Sequence, residues 1–450
     1  MRLSDRRIQL GLAAAVVAGG MALRVWAAHR AGAPSFDEAF TSLAARLPLR
    51  ELPGWLGRND SHPPLDYVLR MPVARTDSAW VLRSPSLVVS ALLLIGLSVW
   101  AGRRRTVEGW LTVAVMAVSP FAVHYGAEAR LYAVALGLAT GLLLVSVAWV
   151  EHPRPWHAVA MSGTLLVLSF TISTWPIAGL ALLVLAGGRR DAVAWRWRAG
   201  CALAGLVWLP LWGLVWRDQL AANHASWIPT TGLRSVSGMA AGILTLKAWP
   251  VSGVAALVMV GIVVLAWPTR REPLTRVSLI SVGVAVSTIT LAGIGSHVVI
   301  ARAVTVAVPA AAALVAVAIH RLLAVRRPLG PAAIALVGAI MVGSLGSAWP
   351  PSDGSSAQRL LARAGPGDVV ATYPGWFHPQ AGWRAGPASE LPTVREGPDA
   401  EGFGLAGKPS GRVWVAWPDS YLFTPPTDWE PCSPLGVDGS WRLGCWTSPR

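Results

Sequence analysis

Charge is scarce in this sequence. Only 14% of its 450 residues are Asp, Glu, Lys or Arg, while 54% are hydrophobic. A soluble chain of this length carries more charge to cover its surface. Cysteine is scarcer still, with three residues in all. Cys201 lies in an apolar run. Cys432 and Cys445 lie in the polar tail, where a disulfide is open to them if the tail faces an oxidising compartment. Internal repeats, heptads and long low-complexity segments are absent, and no two-fold relation joins the halves of the chain. Charges fall at the ends of the apolar runs rather than at their middles, which argues against a transporter built on paired broken helices.

What the sequence has instead is apolar length. Runs long enough to cross a bilayer recur throughout, and mean hydropathy is +0.50. The 24 Trp suit a membrane protein, because indole rings favour the membrane–water interface. The net charge of +15 does not indicate a nucleic-acid partner, since the charges form short clusters between apolar runs rather than one basic face. The reading is an all-α polytopic membrane protein.

Eleven apolar runs stand at about 9–27, 82–101, 107–124, 131–150, 157–173, 175–188, 199–216, 249–267, 277–296, 301–323 and 331–349. The stretch from 157 to 188 is too long for one span and is divided near Trp175-Pro176. The positive-inside rule tests the count. The N-terminus MRLSDRR is basic, and so are the alternate loops GRRR (102–105), VEHPRP (150–155), GGRRDAVAWRWR (187–198), PTRREPLTR (268–276) and HRLLAVRRP (320–328). The alternation predicts a cytoplasmic N-terminus and an extracytoplasmic C-terminus in the plasma membrane. The first run also has features of a cleavable signal peptide, and an uncleaved anchor is the preferred reading. Two domains follow: residues 1–349 in the membrane and an extracytoplasmic tail, 350–450. In the tail, helix-like SSAQRLLARAG (355–365) precedes strand-like DVVATY (368–373) and RVWVAW (412–417), which suggests a small α/β domain.

The outer loops hold the polar residues that need explaining. PSFDEAF (34–40) carries Asp37 and Glu38. Ser35 and Glu38 fit a capping box, which accounts for Glu38 better than for Asp37. In NDSHPPLDYVLRMP (59–72), His62-Pro63-Pro64 reads either as the opening of a surface helix or as an acid–base group or ligand. In HYGAEARLYA (124–133), a continuous helix puts His124, Glu128 and Tyr132 on one face, suited to a divalent cation, with Arg130 turned away. An extended chain puts Glu128 and Arg130 on one side instead. NHASWIPTTGL (223–233) supplies His224, and SHVVIARAV (296–304) supplies His297 and Arg302. Each has an ordinary interfacial explanation. Those explanations do not account for acids, His and Arg gathering at one membrane face. A pocket at the outer edge of the bilayer does, with carboxylates to take a proton and cations to hold an anion.

FDEAF, HPPLDY, LRSPSL (82–87) and SPFAVHYGAEARLYAVAL together resemble the integral-membrane GT-C glycosyltransferases. The nearest branch holds the protein O-mannosyltransferases, the aminoarabinose transferases of lipid A and Rgt-like enzymes. The resemblance covers about residues 5–325 and leaves the tail outside. It implies a polyprenyl-phosphate-linked sugar as donor, a mannose-like or other hexose or pentose. It also implies an extracytoplasmic glycan, lipid or protein acceptor and inversion at the anomeric carbon. Asp37 matches the family's base, with Glu38 beside it, and Arg130 matches the Arg of its E-A-R segment. Arg302 and His62 join Arg130 as candidates for the donor phosphate. His124, Glu128, Tyr132 and His224 are candidates for substrate or for the divalent metal that some members bind. Two departures stand out: Asp66 precedes Tyr67 where the family often has an aromatic after HPPL, and Arg302 is followed by Ala303 rather than Tyr.

Overall fold

The computed structural model describes residues 6–32, 34–60, 62–76, 78–187, 191–221, 237–238, 241–245, 251–293, 301–325, 329–345, 369–372, 411–418, 430–438 and 441–448. By compactness the chain divides into two units. The first comprises Met1–Ala28, Leu49–Asp66 and Arg83–Trp349; the second comprises His29–Pro48, Tyr67–Leu82 and Pro350–Arg450.

Each of the eleven apolar runs contains a helix among its described residues. They are α1 (Arg6–Ala31), α5 (Ala79–Arg104), the bent pair α6 (Val107–Val118) and α7 (Pro120–Ala127), α8 (Tyr132–Glu151), α9 (Pro155–Ser169), α10 (Trp175–Gly187) and α11 (Ala192–Ala221). After these come α12 (Val251–Ala266), α13 (Pro273–Gly293), α14 (Val308–Val325) and α15 (Leu329–Leu345). Three short helices, α2 (Phe36–Ala45), α3 (Leu52–Asn59) and α4 (Leu65–Arg70), lie between α1 and α5. Among the described residues seven helices are long and apolar enough to cross a membrane, or eight if the bent pair is one span. The shortfall from eleven lies in α9, α10 and α15, which have 15, 13 and 17 residues. The division of 157–188 is real, but the chain breaks before Trp175, so Pro176 sits in the first turn of α10 rather than at the bend.

The membrane-facing surface is recognisable by its inverted pattern. On α12, Val254, Leu257, Val260 and Val264 are exposed at helical spacing, Leu257 at 73%, while Gly253, Ala255, Met259 and Ile262 face inward. An exposed aliphatic stripe of this kind needs lipid to cover it. The interior is built round α14, where 89% of the apolar window is buried. Its run of Ala and Val lets neighbours approach closely, since van der Waals packing rather than water exclusion drives helix association in lipid. Ala310 and Ala313 join one buried cluster, with α8, α9, α10 and α13, while Val308, Ala312 and Val315 join another, with α5, α6 and α12.

Ion pairs check the alternation of loops. Arg104 at the end of α5 makes a bidentate pair with Glu151 at the end of α8, one bond being 2.7 Å. Glu108 at the start of α6 pairs with His320 near the end of α14. The ends of α5, α8 and α14, which lead into loops expected inside, therefore share one end of the bundle.

The tail holds a four-stranded sheet of order β1-β2-β4-β3, with β1 (Val369–Thr372), β2 (Gly411–Pro418), β3 (Glu430–Asp438) and β4 (Trp441–Ser448). β1 runs parallel to β2, and the other two pairings are antiparallel. The two expected strands are β1 and β2. β3 was not foreseen because it carries Pro431 and Pro434, residues tolerated only at a sheet edge, which is where β3 lies. The helix expected at 355–365 falls outside the described residues. Cys432 and Cys445 are joined across the β3–β4 hairpin, and Cys201 is free.

Alkylation of the unfolded but unreduced protein is expected to label Cys201 alone. Cys432→Ser is expected to release a second reactive thiol, Cys445, and to lower the stability of the tail by roughly 2–4 kcal/mol, read by differential scanning fluorescence.

Candidate active site

The site segment begins where a membrane helix fails. Pro120 has no amide N–H, so α6 ends at Val118 and α7 leaves at an angle of 55°. Ser119 caps α7 by accepting from the Ala122 amide at 3.4 Å, and its hydroxyl donates to the Ile243 carbonyl at 2.9 Å. α7 stops after Ala127, and Glu128 adopts an extended backbone (φ −73°, ψ 140°). The Arg130 amide then donates to the Glu128 carbonyl at 2.8 Å, an i to i+2 bond of the γ-turn kind. A second helix restarts at Tyr132. The continuous-helix reading of His124, Glu128 and Tyr132 is therefore overturned: a helical face joins them only without the break at 128–131. Glu128 lies in the extended stretch, the other backbone alternative.

Serines of α5 hold this broken segment. Ser90 donates to the Gly126 carbonyl at 2.9 Å and Ser86 to the Glu128 carbonyl at 2.6 Å. They are four residues apart, one helical turn, so one face of α5 serves both carbonyls. Buried Arg83 donates to the Ala28 carbonyl at the end of α1 at 2.8 Å. The LRSPSL motif thus has a structural meaning: Arg83 ties two spans and Ser86 anchors the loop that carries Arg130. Arg130 is itself buried, 3% exposed.

Aromatic contacts bring the segment to His62. Tyr125 packs at a tilt against Phe121, 4.4 Å between ring centroids, and meets His124 and Tyr132 edge-on, each at 4.7 Å. Tyr132 meets His62 edge-on at 6.3 Å. The His62 loop is pinned independently. Gln219 near the end of α11 donates to the His62 carbonyl at 3.1 Å, and the Leu65 amide donates to the Phe170 carbonyl at 2.9 Å. His124 and Tyr132 thus flank Tyr125, and His62 joins them through Tyr132. Arg302 lies half-buried in a 3₁₀ turn (Ala301–Ala307) ahead of α14. Ala303, Val304 and Val306 of that turn share a buried cluster with Leu131 and Tyr132. His224 and His297 lie outside the described residues.

Asp37 and Glu38 open α2 in the second unit. The capping box is complete: the Glu38 amide donates to Ser35 Oγ at 3.2 Å, and the Ser35 amide donates to Glu38 Oε2 at 2.9 Å. Glu38 is buried, whereas Asp37 is partly exposed. In the same unit Ser42 and Arg46 both donate to the Ala74 carbonyl, at 2.8 and 2.9 Å, tying α2 to the chain before α5.

Among the described residues no group of three or more His, Cys, Asp and Glu comes together in a way that holds a metal ion. The sequence reading also missed buried charge. Asp66 appeared only as a departure from a motif, and Arg24 was absorbed into an apolar run, yet they are 2% and 1% exposed. The signal for Arg24 was available, because a charge inside the apolar run of a membrane helix is costly and needs a reason.

No family description and no curated protein matches this chain. Solved structures do. The crystal structure of ArnT from Cupriavidus metallidurans in the apo state superposes with a TM-score of 0.63 at 17% identity, covering 97% of this chain and 98% of that one. The structure of ArnT from the same organism bound to undecaprenyl phosphate gives 0.57 at 14% identity over the same shares. The chain therefore has the fold of ArnT. At 97% coverage the likeness runs past residue 325 and into the tail, further than the sequence motifs reached.

The capping box divides the acid pair by substitution. Glu38→Ala is expected to cost about 1 kcal/mol and to speed amide exchange across Phe36–Ala45. Glu38→Gln is expected to leave that exchange unchanged, because Gln completes the same box.

Proposed function

We propose that the protein is a membrane glycosyltransferase that moves a sugar from a polyprenyl-phosphate donor to an extracytoplasmic acceptor, with inversion at the anomeric carbon. The observation that carries this reading is the likeness along nearly the whole chain to ArnT, in one case bound to undecaprenyl phosphate. The buried Arg130, held on a broken helix, adds to it.

Roles are assigned residue by residue. Asp37 is the general base and takes the proton of the acceptor hydroxyl as that oxygen attacks the anomeric carbon. The bond from that carbon to the phosphate oxygen breaks on the opposite face, and the polyprenyl phosphate leaves with the electron pair. Charge grows on the phosphate as the bond breaks, so cations aimed at it lower the barrier. Arg130 and Arg302 supply that charge, and His62 donates a further hydrogen bond. The guanidinium is the better group in an apolar setting, since it stays charged and offers paired donors to phosphate. His124 and Tyr132 contact the sugar. Glu38 holds α2 so that Asp37 keeps its direction.

The enzyme works at the outer face, with the N-terminus inside and the tail outside. The Cys432–Cys445 disulfide supports that side for the tail, because such bonds persist in oxidising compartments.

The test is a transfer assay with purified protein, radiolabelled polyprenyl-phosphate mannose, glucose and arabinose, and an envelope extract. We expect transfer from one donor, reduced by about 10²-fold or more in Asp37→Asn with elution unchanged, and retained in Glu38→Gln. Equal transfer by Asp37→Asn would remove Asp37 as the base. No transfer from any donor would favour a lipid or sugar flippase, or a non-catalytic assembly factor with this fold.

A further inference from the structure

Arg24 stands in the last third of α1, inside the first apolar run, with its side chain buried. A guanidinium at that depth is retained only where it is engaged with other groups. The groups that engage it belong to the break in α6 and α7. In an unbroken helix the amide of residue 120 would donate to the carbonyl of Met116, but residue 120 is Pro. Arg24 Nη2 donates to the Met116 carbonyl instead, at 3.1 Å. Arg24 Nη1 donates to the Ala117 carbonyl at 3.0 Å and to the Gly20 carbonyl of its own helix at 2.9 Å. The remaining edge faces α7. A Cβ added to Gly126 would stand 3.1 Å from Arg24 Nε and 2.7 Å from Ser90 Oγ. The guanidinium therefore fills the angle between α6 and α7, and Gly126 leaves room for it.

We propose that Arg24 is a positioning residue for the transfer site. Its guanidinium takes the place of the amide donor that Pro120 lacks and fixes the 55° bend, and so sets where α7 delivers His124, Glu128 and Arg130. Its catalytic consequence rests on the transfer reading above; the geometry does not. The fork of the side chain is essential, because two carbonyls on successive residues must be served at once. A Lys in its place offers a single compact ammonium and cannot present that pair of donors in fixed geometry.

The experiment uses the full chain in detergent, with Arg24→Met, Arg24→Lys, Pro120→Ala and the double variant Arg24→Met with Pro120→Ala. Hydrogen exchange is read over residues 119–131 and, as an internal reference, over 311–319 of α14. Transfer is measured per folded molecule, counted by size exclusion. In Arg24→Met we expect exchange at 119–131 to rise by about 10-fold or more with α14 unchanged, because only the local opening is made easier. We expect kcat to fall by about 10²-fold as the site is displaced, together with a rise in donor KM, which a loss of folded protein alone cannot produce. Arg24→Lys falls between the two. Pro120→Ala returns an amide donor to Met116, so Arg24→Met in that background has a much smaller effect on local exchange. The proposal is overturned if exchange rises equally in α14, if Arg24→Lys matches the parent while Arg24→Met loses only folded protein, or if the Pro120→Ala background leaves the effect of Arg24→Met undiminished. Should Arg24→Met fail to fold, Arg24→Lys carries the same readouts. Should the parent transfer no sugar, the exchange measurements alone decide, so failure of the transfer reading is distinct from failure of this one.

Discussion

A helix that breaks inside a membrane leaves carbonyls that water cannot reach, and the first unit is organised around meeting that requirement. In hydrocarbon each unsatisfied backbone group costs several kcal/mol, so irregular backbone persists only where protein supplies the missing donors. At the bend between α6 and α7 the donors are three side chains from two elements, α1 and α5. Arg24 serves Met116 and Ala117, Ser90 serves Gly126, and Ser86 serves Glu128. Each bond also ties an element to the bend, so α1 and α5 are held by the same groups that make the break tolerable. The hydroxyl of Ser119 reaches out to Ile243 and adds a fourth tie. The broken span thereby becomes a rigid mount rather than a weak point.

That requirement explains what was legible in the sequence and what was not. Apolar runs are read by length and composition, and each of the eleven contains a helix among its described residues. Alternation of basic loops was legible for the same reason, and the Arg104–Glu151 and Glu108–His320 pairs place the helix ends that lead into three of those loops at one end of the bundle. A break within a run is harder to see. Pro120 marked it, but Pro is tolerated in membrane helices when neighbours supply donors, so its presence alone does not predict a bend. Whether His124 and Glu128 share a face depends on that bend and on the second stop at Glu128. Both depend on side chains from other helices, which periodicity within one segment cannot reveal. Arg24 was hidden for the complementary reason: a single charge hardly alters the mean hydropathy of its run, although it decides the geometry of another. The edge strand β3 was hidden by its two prolines.

The acid pair illustrates how adjacent residues of like chemistry are separated by geometry. A helix N-terminus attracts carboxylates, and two in the first turn of α2 look redundant. The capping box removes the redundancy. It demands an acceptor at the third helical position, which Glu38 fills, and places no demand on the second. The backbone at Asp37 does contribute, since its carbonyl accepts from Thr41 Oγ1 at 2.8 Å, but its carboxylate is not needed by the cap. A carboxylate committed to a buried cap is poorly suited to taking a substrate proton, so the proposal gives the cap to Glu38 and the base to Asp37.

Scarcity of charge sharpens the same argument across the membrane unit. Arg24 and Arg83 are buried there and donate to backbone carbonyls at the ends or breaks of spans. A guanidinium can do this because it spreads one positive charge over several planar donors and loses less hydration than an ammonium. The same property suits a polyprenyl phosphate, whose anionic head must be met at the edge of the bilayer while its chain stays in lipid. Arg130 is buried like the other two, but it sits on the short extended link between two helices rather than within a span. On the transfer proposed above, arginine would both cap broken backbone and meet phosphate, so that a chain with few charges would build its frame and an anion site from one chemistry.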